Sequence, residues 1–194
     1  DSALLANGTN AVITTSGAIN SDGTTRSLTF NVSGANSTLV FNEAIGNTAA
    51  IGSLNATASN ITLNGSQVKT TGSQTFAGAI TLTKDTLLQS TGNNATVALA
   101  NTVDGDTAGT RSLTISANGS GSTVTLGDAV GATNRLSAFD ITGTTISFNG
   151  PTVNTTGNQS YAGALTLGAN TTLSASNLQT VSGSVFEGAG KSLS

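Results

Sequence analysis

Apolar residues alternate with small polar residues in short runs along this chain. Clear examples lie at 122–126, 145–148 and 164–167, where Val, Leu, Ile or Phe recur at every second position and Thr or Ser fills most of the others. A period of two is typical of a β-strand with one buried face. Asn-Gly pairs near these runs favour turns, because both residues tolerate positive φ angles. No stretch has the 3.6-residue period and the caps of a helix, so the pattern predicts an all-β protein.

The same pattern recurs along the chain as a tandem repeat of about 85 residues. Residues 26–82 align without gaps with residues 111–167, and about 24 of the 57 aligned positions are identical. Many of the other aligned pairs keep their apolar character, which indicates a structural repeat. We interpret the chain as one continuous segment, 1–194, divided into a partial copy at 1–25, copies at 26–110 and 111–190, and the start of a further copy at 191–194.

Two all-β architectures fit a repeat of this length. One is a string of Ig-like sandwich modules of roughly 100 residues each; the other is a parallel β-solenoid with about four coils of about 21 residues per repeat. A sandwich core needs bulky residues from two sheets, and this chain has six Phe, one Tyr and no Trp. A narrow solenoid needs only Val, Leu, Ile and Ala inside. We therefore predict a β-solenoid, with tandem Ig-like modules as the alternative.

The prediction of a solenoid specifies its core. Apolar positions shared by both copies are expected to be buried: Leu28 and Leu113, Ile61 and Ile146, Val68 and Val153, Leu82 and Leu167.

Two runs resemble repeats of the filamentous-haemagglutinin-like giant adhesins and exoproteins of Gram-negative bacteria. They extend from Thr155 to Leu173 and from Gly127 to Gly131. The resemblance covers nearly the whole chain, since the repeat itself carries it. It implies a right-handed β-helix, secretion to the bacterial cell surface, and a role in adhesion or in a biofilm matrix.

Charge is scarce and scattered, which excludes several classes of partner. Charged residues make up 8% of the chain, the net charge is −3, and the six Lys and Arg residues are spread singly. Nucleic-acid binding needs clustered cations, so no nucleic-acid partner is predicted. No run of about 20 apolar residues is present, so no membrane span is predicted either.

The sequence also lacks the residues of common catalytic and metal sites. It contains neither His nor Cys, which excludes most nucleophilic triads and zinc sites, and we predict neither enzymatic activity nor a cofactor. The closest carboxylates are Asp104 and Asp106. They could supply oxygen ligands for Ca²⁺; the alternative is a polar turn between coils.

Two further features recur in both copies. Arg26 with Glu43, and Arg111 with Asp128, suggest an ion pair between adjacent coils. The aromatic position before Ala-Gly-Ala is Phe76 in one copy, and its counterpart is Tyr161. We expect this aromatic to lie in the core; a contact with glycan is the alternative.

These features predict a structural role. The chain is expected to form a segment of an extracellular fibre or adhesin stalk. A carbohydrate-binding repeat module that recognises surface glycans is the alternative, and a polysaccharide-cleaving β-helix enzyme comes third. Because 191–194 begins as 26–29 does and neither end carries a capping segment, we also predict head-to-tail association of the chain with itself, or membership of a longer array.

Overall fold

Parallel strands stacked in coils make up this molecule. In the computed structural model, which describes residues 1–194 apart from the side chain of Glu187, the described backbone contains no helix. The strands of the described chain are β1 (Ser2–Asn7), β2 (Val12–Thr15), β3 (Leu28–Ser33), β4 (Thr38–Phe41), β5 (Leu54–Leu63), β6 (Gln67–Thr70), β7 (Gln74–Leu82), β8 (Thr86–Ser90), β9 (Thr96–Leu99), β10 (Val103–Gly105), β11 (Ser112–Ala117), β12 (Thr123–Leu126), β13 (Ala138–Phe148), β14 (Thr152–Asn154), β15 (Gln159–Leu167), β16 (Thr172–Ser174), β17 (Gln179–Ser182) and β18 (Val185–Glu187).

The strands form the three sides of a solenoid of about 8 turns. The first sheet contains, in stacking order, β1, β3, the first half of β5, the first half of β7, all of β9 and β12, the second half of β13, the second half of β15, and β18. The second sheet stacks β2, β4, the second halves of β5 and β7, β10, β14 and β16. The third stacks β6, β8, β11, the first halves of β13 and β15, and β17. All pairings are parallel, as the predicted solenoid requires.

Four long strands bend from one sheet into the next. In β5 and β13 the pairing register shifts between Thr57 and Asn60, and between Thr142 and Thr145. These bends join the three sides into one continuous hydrogen-bonded surface. With strands about 4.8 Å apart, the turns build a rod roughly 40 Å long.

The core is a row of apolar side chains inside each coil. In the first sheet, the inward column is buried from Phe30 to Leu167, with Phe30, Ala56, Phe76, Leu99, Leu126, Phe148 and Leu167 stacked in order. Seven of the eight predicted core residues are buried. Leu28 is only half-buried, because its neighbour in the first coil is the small residue Ser2.

The repeat does not comprise a whole number of turns, although its length in turns is close to the predicted value of about four coils. Each residue of the first copy has its counterpart one sheet back around the coil, a shift of a third of a turn. The pairs that show this are Phe76 in the first sheet with Tyr161 in the third, Ile61 in the second with Ile146 in the first, and Val68 in the third with Val153 in the second.

Each turn of the solenoid has three sides, so four whole turns would comprise twelve sides. Equivalent residues of the two copies are eleven sides apart, and one repeat therefore covers three and two-thirds turns. Dividing a repeat of about 85 residues by eleven-thirds gives coils of about 23 residues, longer than predicted, because loops at the corners add residues. The coils also differ among themselves: more residues separate Phe30 from the stacked Ala56 than separate Ala56 from Phe76.

Candidate functional site

A corner loop with an Asp–Arg pair recurs in the two copies. In the loop at 20–26, Nη2 of Arg26 lies 3.3 Å from Oδ2 of Asp22. In the loop at 104–111, Nε of Arg111 lies 2.7 Å from Oδ1 of Asp106. Both pairs form within one loop.

The predicted ion pairs between adjacent coils, Arg26 with Glu43 and Arg111 with Asp128, are therefore wrong. Among the described side chains the two arginines contact acids of their own loops. The physical reason is proximity along the chain: an acid four or five residues away is reached by a local turn, whereas Glu43 and Asp128 lie on a different corner of the next coil.

These loop carboxylates are held ionised by their neighbours. The backbone N–H of Thr24, followed by the Arg26 side chain, lowers the pKa of Asp22. The hydrogen bond from Arg111 lowers the pKa of Asp106. Since both pairs are open to solvent, they contribute little to stability, and their main effect is to fix the shape of the loop.

Asp104, the other proposed calcium ligand, has a structural role of its own. Its Oδ1 accepts the backbone N–H groups of Thr133 and Asn134 in the next coil, at 2.9 and 3.0 Å. Asn20 does the same one repeat earlier for Thr48 and Ala49. Asp104 and Asp106 thus share a loop but serve different partners, and no group of three or more potential metal ligands occurs among the described residues.

The start of each copy is marked by a second interaction that sequence comparison missed. Asp1 accepts the backbone N–H of Ser27 at 2.7 Å, and Asp85 accepts that of Ser112 at 2.8 Å. A third instance joins Asn170 to Ser192 at 3.2 Å. The two aspartates stand one position closer together in the sequence than the two serines do, so an alignment without gaps hides the match. Allowing one inserted residue in the second loop would have found it.

The rotation of the repeat places these equivalent loops on different corners. The loop at 20–26 connects the third sheet to the first, and the loop at 104–111 connects the second to the third. A linear ligand lying along one side of the rod would therefore meet one loop and miss its counterpart.

The recurring aromatic position lies in the core, as expected. Phe76 and Tyr161 are both fully buried. Beside each of them a buried glutamine holds a corner together: Nε2 of Gln74 donates to the carbonyls of Val68 and Gln89, and the amide of Gln159 makes the equivalent bonds one copy later. An amide that reaches two carbonyls of the backbone satisfies acceptors that water cannot reach.

Large apolar side chains are exposed only in the two end coils of the described chain. The large apolar residues that remain exposed are Leu4, Leu5, Val12, Leu178, Val181, Val185 and Phe186. Among the described residues, the interior coils leave no large apolar side chain exposed. The open coils are therefore the main candidate for a contact surface on this molecule.

A small cavity belongs to the same open end. It has a volume of about 220 Å³ and lies beneath the loop at 20–26, with Ile19, Leu28 and Ile51 among its lining residues. One repeat later the residue equivalent to Ile19 is Val103, which pairs with Ile80 of the coil below and is fully buried. The cavity thus marks the space that an adjoining coil fills elsewhere in the molecule.

Comparison with known proteins leaves the chain to be interpreted on its own geometry. No protein-family model, curated protein or solved structure matches it. Across the described residues there is no helix with the length and apolar character needed to cross a bilayer.

Proposed function

We propose that this chain is a structural segment of a long extracellular fibre or adhesin stalk at a bacterial surface. The observation that carries the proposal is the contrast between closed sides and open ends. Among the described side chains, all large apolar ones that remain exposed lie in the first and last coils. Contacts made by the end coils, and not by the interior coils, would extend the rod along its axis.

The sides of the rod suit a thread surrounded by water. One outward position of β12 is Thr125, which stacks on Ala98 below and Ser147 above. Small side chains, many of them with hydroxyl or amide groups, cover the coils, and continuous parallel ladders hold the strands together. Interior strands have pairing partners in the coils on both sides, which leaves few openings for proteases.

Further coils cover the open ends in the proposed fibre, contributed either by a longer chain or by another copy. The contact is head to tail and does not close on itself, so it produces filaments. The secreted, adhesive setting implied by the resemblance to filamentous-haemagglutinin-like proteins is part of the same proposal.

Light scattering and negative-stain electron microscopy over a concentration series test the proposal. We expect thin filaments that lengthen with concentration, and shorter particles for Leu4→Asp, which places a charge on the first coil. Thr81→Asp, on an exposed position of an interior coil, is the matched control and should leave assembly unchanged. Strictly monomeric particles at every concentration would contradict the fibre role. Saturable binding to one class on a glycan array would instead favour the carbohydrate-binding alternative.

A further inference from the structure

The first and last coils of the described chain are built in the same order. The first coil has β1, then β2, then an isolated bridge at Ile19. The last coil has β17, then β18, then an isolated bridge at Leu193. They differ in where they start, because β1 lies in the first sheet and β17 lies in the third.

Strand pairing selects one rotation between two such coils. Turning one copy by a single sheet places β17 against β1, β18 against β2, and Leu193 against Ile19. With the sheets aligned instead, the four residues of β17 would face the single bridge at Ile19. Unpaired N–H and C=O groups would then remain at the junction, and leaving such groups unpaired is costly.

A column of close backbone contacts selects the same rotation. Gly183 lies at the tight corner between β17 and β18, and a Cβ atom there would overlap the carbonyl oxygen of Gly163. Gly8 lies at the corner between β1 and β2, and a Cβ on Gly34 would overlap the Gly8 oxygen. The rotated junction stacks Gly183 on Gly8 and continues the glycine column, which the close approach of backbones requires.

The rotation also covers an exposed leucine of the last coil. Leu178 is 65% exposed immediately before β17. With Gly183 on Gly8, Leu178 lies beside Ala3 of β1, next to Ser2, which lines the cavity under the loop at 20–26. Partial burial of a leucine side chain contributes favourably to association.

We propose that two copies of this chain join end to end with a rotation of one sheet, so that β17 pairs in parallel with β1 and β18 with β2. This inference rests on the proposed fibre and specifies its joint. The match between 191–194 and 26–29, from which head-to-tail association was predicted, does not give the register of this joint. The first coil is the counterpart of β8 to β10, whereas the last coil ends at the counterpart of β11, so one copy does not continue the repeat of the other.

Cysteine pairs test the joint, and the chain contains no cysteine of its own. Stacking Gly183 on Gly8 places Thr180 beside Leu5, so Leu5→Cys/Thr180→Cys should give a ladder of disulfide-linked multimers on mild oxidation. Ala3→Cys/Phe186→Cys reports aligned sheets, since these positions belong to one outward column. Leu5→Cys/Ser194→Cys reports the remaining rotation. Both control pairs should stay monomeric on a denaturing gel.

The outcomes separate the joint from the fibre. A ladder from Leu5→Cys/Thr180→Cys alone supports the rotated junction. A ladder from either other pair, or filaments without a ladder from the first pair, overturns the junction and leaves the fibre standing. If the reduced proteins form no filaments in light scattering, the fibre proposal fails, and the junction fails with it.

Discussion

The phenol of Tyr161 donates a 2.8 Å hydrogen bond to Oε1 of Gln159, two residues earlier on the same strand. The counterparts in the first copy are Phe76 and Gln74. There Oε1 of Gln74 is buried and has no hydrogen-bond partner among the described groups. The two copies thus build the same glutamine corner, but only the second completes it.

Phe76→Tyr should complete the corner in the first copy. The rings that pack against Tyr161 are Phe139 and Phe148; the smaller Leu54 and Leu63 occupy the equivalent positions, so a hydroxyl has room. A new bond to a buried acceptor should raise the free energy of unfolding by about 1 kcal/mol, measured by urea denaturation. Tyr161→Phe is the matched control and should lose about 1–3 kcal/mol. A less stable Phe76→Tyr protein would show that the pocket rejects the hydroxyl.

The same tyrosine should make the protein sensitive to alkali. Burial, reinforced by the negative charge of Asp140, raises the pKa of Tyr161 above its usual 10.0. The unfolded state then loses this proton at lower pH than the folded state, so stability is full below about pH 10 and falls as the pH rises further. We expect a loss of up to about 1.4 kcal/mol per pH unit. Urea denaturation between pH 8 and pH 11 measures it, and Tyr161→Phe should lack this component; identical slopes would refute the assignment.

Gly119→Ala should disrupt a corner where two backbones touch. A Cβ at this position would overlap the carbonyl oxygen of Gly92 in the coil below, and relief requires the coils to move apart. We expect a loss of roughly 1–3 kcal/mol and a lower melting temperature. Gly17→Ala is the control, because nothing lies within 4 Å of the added atom. Equal melting of both variants would show that the corner yields without cost.

Ile146→Asp should unfold the coils around it. Ile146 is fully buried in the first sheet, stacked between Val124 and Leu165. The change removes about 1.5–3 kcal/mol of apolar burial and adds the cost of a carboxylate without a partner. Circular dichroism during heating should show earlier loss of β-structure, whereas the outward-facing Thr166→Asp should melt like the unmodified protein. Unchanged melting of Ile146→Asp would contradict the register.

Spin labels should reveal the rotation of the repeat directly. Thr24→Cys/Ala108→Cys labels the two corner loops, which lie on different edges and are separated by about 18 Å along the axis. Thr29→Cys/Thr125→Cys is the control, since these residues belong to one column four coils apart, about 19 Å. Pulsed electron paramagnetic resonance should give a clearly longer distance for the loop pair. Equal distances would place both loops on one edge.

The core was predictable because alternation acts locally. Ile61 and Ile146 follow a polar neighbour and precede another, and a strand sends such residues to the buried face wherever it lies. Leu28 obeys the same rule in its own strand, yet it stays half-buried because the coil below it offers only the small side chain of Ser2.

The ion pairs of the corner loops were less predictable, because the sequence does not show how each loop folds back on itself. The repeated Arg26 and Arg111 were visible in the sequence, but their partners were misassigned to Glu43 and Asp128. Two opposite charges that recur at the same sequence spacing need not be close in the folded chain. The length of each coil and the direction of each turn decide which side chains meet.

The order of the amino acids is enough to establish that the chain is all-β, that it repeats, and which side chains point inward, because a period of two is a property of each strand alone. Tertiary structure decided on which side of the rod each strand lies. Loops of unequal length give the coils unequal lengths, and parallel hydrogen bonding then locks each strand to one in the coil below. The strand pairing summed over all coils, and not the repeat length, rotates the second copy by a third of a turn. It also decides which strands lie at the two open ends of the rod.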